Sequence, residues 1–132
     1  MPRHRNGKAM NTIIVHTTPD EHWSPVDSIL ASGGRHDAYG AQKMTDTGWI
    51  RAYRADEVRD DYEPDEWQIV EGHLPEPISY LVEWRDDELL VALVRSAPEG
   101  AAVVIDNDHG VICLADRVRH HAPDRWIRCV QL

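Results

Sequence analysis

Apolar and polar positions first fall into order at Thr12 to Thr17, where the β-branched run Ile13, Ile14, Val15 predicts a strand. Thr18-Pro19-Asp20-Glu21 and Ser24-Pro25-Val26-Asp27 each set a capping hydroxyl ahead of a proline. Because Pro25 would break a helix begun at Thr18, one turn is expected at 19–23 and the main helix from Pro25 to Ser32. Trp23, Val26, Ile29 and Leu30 supply its apolar stripe, and Gly33-Gly34 ends it. Residues 35–47 carry neither helical nor alternating periodicity and read as a loop long enough to serve in binding. Gly48 to Arg54 then alternates as a strand with one wet face.

Asp56 to Tyr62 suits a short helix capped by Asp56 and stopped by Pro64. Ile78, Tyr80, Val82 and Trp84 alternate with Ser79, Leu81, Glu83 and Arg85. With Leu89 to Arg95 as a second strand, they predict a hairpin whose turn is Asp86-Asp87-Glu88. A second hairpin is expected from Ala101 to Ile105 and Val111 to Leu114, around Asp106-Asn107-Asp108-His109-Gly110. Asp116 would cap a short helix with Arg119, His120 and His121 in its last turn, and Pro123 would close it before a final strand, Trp126 to Leu132. The expected fold class is α+β: a mainly antiparallel sheet of two C-terminal hairpins plus the final strand, with one N-terminal helix and short helices. Residues 11–132 form the single domain; residues 1–10 read as a disordered basic leader, and Met10 is an alternative start to Met1.

Composition agrees with one globular domain: 132 residues, 42% hydrophobic and 28% charged. Even the best apolar run, Leu89 to Val94, falls far short of the ~20 residues that cross a bilayer, so no membrane association is expected. The basic N-terminus is not followed by an apolar stretch of secretory length. Cys113 and Cys129 lack CxxC or zinc-finger spacing and read as reduced thiols of a cytoplasmic protein, with a disulfide between neighbouring strands as the alternative. Twelve arginines against two lysines suit a GC-rich bacterium or its phage.

Charge changes the picture most. Of 23 carboxylates, 13 lie between Asp56 and Glu88 against only Arg59 and Arg85, a local net of −11 in a chain of net −9. Such a field steers a basic partner and repels phosphate, so direct nucleic-acid binding is not expected. Tyr62, Trp67, Tyr80 and Trp84 are threaded through the segment. Two readings follow: an interface whose aromatics anchor a partner, or a solvated face whose tryptophans point into the core. The interface reading selects Asp56, Glu57, Asp60, Asp61, Tyr62, Glu63, Asp65, Glu66 and Trp67.

Other chemistry is thin. Asp106, Asp108 and His109 offer oxygen and imidazole to a divalent metal, but they lack the distal glutamate of a calcium loop and equally suit a tight turn. Arg117, Arg119, His120, His121, Arg125 and Arg128 make a small basic patch, better suited to pairing with the acidic segment, within the chain or across a homodimer, than to phosphate. Eight histidines offer many proton-transfer partners, such as Glu71 with His73 or His36 with Asp37, but no nucleophile elbow, P-loop, dinucleotide fingerprint or HExxH motif is present. No cofactor is expected. The sequence thus points to a small acidic protein-binding module, an inhibitor or immunity-type protein, toxin-neutralising or phage-encoded. Its partner would be a basic protein such as a nuclease toxin or a host nucleic-acid-binding protein. Its rivals are a small metal-dependent or acid/base enzyme at Asp106, Asp108 and His109, and a homo-oligomeric assembly protein.

Overall fold

The computed structural model describes residues 11–132; the leader expected over residues 1–10, with the choice between Met1 and Met10, lies outside the described residues. Ile13, Ile14 and Val15 have no exposed surface, and a strand covered on both sides reads as a continuous apolar run. Their strand, β1 (Asn11–Thr17), lies at the interior of one sheet with β2 (Arg35–His36), β3 (Gly40–Met44), β4 (Trp49–Arg54), β5 (Ile78–Arg85), β6 (Val104–Asp106) and β7 (Ile112–Leu114). The seven strands run in the order β2-β3-β4-β5-β1-β6-β7, and every pairing is antiparallel. The chain is an α+β fold.

Pleating divides the apolar residues between two cores. Ile13, Val15, Val82, Trp84 and Ile105 pack with Ile29 of α1 (Pro25–Ala31), Leu90, Leu93 and Val94 of α3 (Asp87–Arg95) and Trp126 of α5 (Pro123–Trp126). Ile14, Leu81 and Val104 pack instead with Val58 of a 3-10 helix (Asp56–Asp61), with Trp67 and Val70 of α2 (Pro64–His73), and with Tyr62 and Leu74.

Several expected elements form: β1, the helix from Pro25 with the Ser24 hydroxyl accepting from the Asp27 N–H at 3.1 Å, β4, and the β6–β7 hairpin. The strand expected over Leu89 to Arg95 is instead helix α3. Asp86 caps it in a left-handed conformation (φ 94°), accepting from the Glu88 N–H, and Asp87 and Glu88 occupy the first turn, where the helix dipole favours anions. The acidic tripeptide is thus a helix start and not a hairpin turn. The expected final strand does not form, because Pro123 opens α5 and residues 127–132 are irregular. The segment 35–47 is not a plain loop: it carries the β2–β3 hairpin, whose tip is held by Asp37 accepting from the Tyr39 and Gly40 N–H groups at 2.8 and 2.7 Å. Those two bonds hold the Asp37 carboxyl below its ordinary pKa.

Two caps shift as well. The helix expected from Asp56 is 3-10, with Ala55 at the cap, and the helix expected behind Asp116 is α4 (Ala115–Val118), with Leu114 at the cap and Asp116 in the first turn. Cys113 is buried, Cys129 half-buried, and both are free thiols; burial pushes the Cys113 pKa up.

Candidate functional site

The acidic segment forms a shelf over the second core. Val58 and Tyr62 pin the 3-10 helix, and Trp67 and Val70 pin α2, leaving Asp56, Glu57, Asp60, Asp61, Glu63 and Asp65 exposed. Part of the cluster has local work. The Glu66 carboxylate accepts from the Glu63 N–H at 3.1 Å, and Asp65 and Glu66 lie in the first turn of α2. Asp56 accepts from the Ser79 N–H at 3.0 Å and pairs with Arg54 at 2.8 Å. Glu57, Asp60, Asp61 and Glu63 meet no basic side chain among the described residues.

Tyr62 and Trp67, expected as anchors for a partner, face inward instead, each 9% exposed. Their rings pack edge to face with each other and with the His16 ring, at centroid separations of 5.2 to 5.7 Å. Arg59 covers Trp67 from outside, its guanidinium 5.1 Å from the ring centroid. The sheet explains the burial: β5 brings Ser79 opposite His16 of β1, and β6 brings Asp106 opposite Ile14. His16, Asp106 and Ser79 are all buried, the first two without exposed surface.

These groups form one directed chain of hydrogen bonds. Asp106 accepts from the Asp108 N–H at Oδ1 (2.8 Å) and from the Tyr62 hydroxyl at Oδ2 (2.5 Å). With its single proton given to Asp106, the Tyr62 oxygen must accept from His16 Nε2, 2.8 Å away. In the neutral ring that tautomer leaves a lone pair on Nδ1, which accepts from the Ser79 hydroxyl at 2.8 Å. Ser79 also helps line an open cleft of about 540 Å³, with Arg54, Asp56, Arg59, Trp67 and Ile78 on the same lining. The Trp67 indole N–H is buried and lacks a hydrogen-bond partner.

The metal candidates Asp106, Asp108 and His109 do not converge: Asp106 turns inward to Tyr62, whereas His109 is exposed. Among the described residues no three His, Cys, Asp or Glu side chains are grouped to hold a metal ion. The basic patch pairs in part within the chain. Arg128 meets Asp87 at 3.0 Å and Arg119 meets Asp116 at 2.9 Å. Arg128 chiefly, and the Trp84 indole N–H in addition, lower the Asp87 pKa against the opposing effect of burial.

His16 and Ser79 were not singled out by the sequence. Each is a polar residue inside an apolar strand, but only the register reveals that they face each other. No family model matches the chain, and no curated protein or solved structure matches it either. No helix among the described residues is long and apolar enough to cross a membrane.

Proposed function

We propose that this protein is a small cytoplasmic binding module of the inhibitor or immunity type, which covers a basic surface of a partner protein with its acidic shelf. The observation that carries this reading is that Glu57, Asp60, Asp61 and Glu63 stand exposed and, among the described residues, without basic partners, on a backbone fixed by buried Val58, Tyr62, Trp67 and Val70. A shelf held from beneath loses little entropy when it docks, and its field raises the rate of encounter with a cation-rich surface. Because the two aromatic rings face inward, apolar contact falls to Ile69 of α2, which is 46% exposed beside the shelf.

The test begins with capture of a partner from the native host at low salt, followed by association kinetics. Asp60/Asp61/Asp65→Asn should slow association by about ten-fold at low salt and leave dissociation nearly unchanged. The wild-type on-rate should fall steeply as salt rises. A complex whose on-rate ignores both salt and the triple substitution would refute the reading.

A further inference from the structure

We infer that Ser79 is a nucleophile opening into the cleft beside the acidic shelf, with His16 as its base and esters of small carboxylic acids as the substrate class. Direction carries the inference. A buried histidine that merely fills a core is satisfied by any pair of partners. Here both protons in the chain point toward Asp106, so the one ring lone pair that remains is aimed at a serine hydroxyl 2.8 Å away. That is the protonation state a serine nucleophile needs. Tyr62 and Asp106 act as positioning residues, holding the His16 tautomer and stabilising the imidazolium that would form.

The cleft supplies the second observation. Ser79, Trp67 and Arg59 share its lining, so the serine end of the chain, and not its carboxylate end, belongs to a residue on the cleft wall. Ser79 is only 2% exposed, which admits a slim acyl group such as acetyl and excludes a bulky one. Arg54 on the same lining is paired with Asp56, and Glu71 and Glu76 also line it, so the positive charge that a tetrahedral oxyanion calls for falls to Arg59.

The step balances without a cofactor. Ser79 Oγ forms a bond to the ester carbonyl carbon as its proton passes to His16 Nδ1. The ester C–O bond then breaks, and the alcohol leaves with that proton. Water, deprotonated by His16, cleaves the acyl-serine and returns the carboxylic acid and the free hydroxyl.

The experiment treats the full chain with methanesulfonyl fluoride, a probe about as slim as acetyl, in which Ser79 Oγ displaces fluoride and the proton leaves through His16, and reads intact mass and peptide mapping. One adduct on Ser79 is expected, together with hydrolysis of p-nitrophenyl acetate. Ser79→Ala should lower that hydrolysis by a hundred-fold or more. Tyr62→Phe, measured where it remains folded, should slow it about ten-fold and move the acidic limb of its pH profile, where His16 loses its proton, an effect that a purely structural hydroxyl would not produce. Because the adduct is mapped on the wild-type protein, the result stands even where a variant misfolds. No adduct at millimolar probe, an adduct elsewhere, or equal hydrolysis by a folded Ser79→Ala would overturn the assignment.

Discussion

Tyr62→Phe isolates the hydroxyl on which the buried chain turns. The ring remains, so its contacts with His16 and Trp67 and its place beside Val58 and Val70 are kept. What is lost is the donor to Asp106 and the acceptor for His16, two groups with no exposed surface. A buried polar group left without a partner costs about 1–3 kcal/mol. The two ends together give a loss of roughly 2–6 kcal/mol, against the ~5–15 kcal/mol stability of a typical domain. The variant should therefore fold and melt roughly 10 °C lower. Urea unfolding followed by tryptophan fluorescence measures the loss directly, and an unchanged m-value would show that the two-state reference is intact. A cycle with Asp106→Asn should give a coupling energy above about 1 kcal/mol, since the two groups touch. A loss below about 1 kcal/mol, or additive effects in the cycle, would show that water serves His16 and Asp106 as well as Tyr62 does, and would refute the closed chain.

Two further perturbations probe the frame around the site. Asp87→Asn keeps an acceptor for Trp84 but removes the charge facing Arg128. The Asp87 pKa is depressed in the folded state, so its contribution is present above the ordinary carboxylate range and lost as pH falls through the lowered value. Thermal melts should therefore show wild type modestly more stable from pH 6 to 8, with the gap closing as acid protonates Asp87; a gap that persists in strong acid would refute the ionic origin. Gly48→Ala would drive a methyl group into the Arg85 carbonyl on the neighbouring strand. A loss of about 2 kcal/mol or more in urea unfolding is expected, and a neutral result would show that β4 can move away from β5.

The legible part of this fold was the part in which one period dominates. β1 announced itself by three β-branched residues, and α1 by its serine cap and proline. α3 was misread because Leu89 to Val94 is apolar at nearly every position, and a run of six such residues does not distinguish period 2 from period 3.6. The buried set Leu90, Leu93 and Val94 has helical spacing, and Asp86 is its cap, a signal that also resembles a turn. α2 was hidden for the opposite reason: only Trp67 and Val70 of its ten residues are buried, so its stripe is sparse among carboxylates. The acids selected for an interface include its cap, Glu63, and its first turn, Asp65 and Glu66. The shelf was thus readable as charge but not as structure. The His16 chain was not readable, since setting residue 79 opposite 16 and residue 106 opposite 14 requires a strand register that no local pattern encodes.

The place of β1 inside the sheet has a consequence for how the protein is made. Its neighbours are β5, beginning at Ile78, and β6, beginning at Val104. At ~5–20 residues per second, a ribosome that has delivered Thr17 needs several seconds more to deliver either neighbour. Through that interval Ile13, Ile14 and Val15 form a sticky ribbon with both backbone edges bare. The β2–β3–β4 meander and α1 can close locally in the meantime, but this strand, with its three wholly buried apolar residues, must wait, in the reach of chaperones and of its own copies on the same messenger, until the middle of the sequence arrives to receive it.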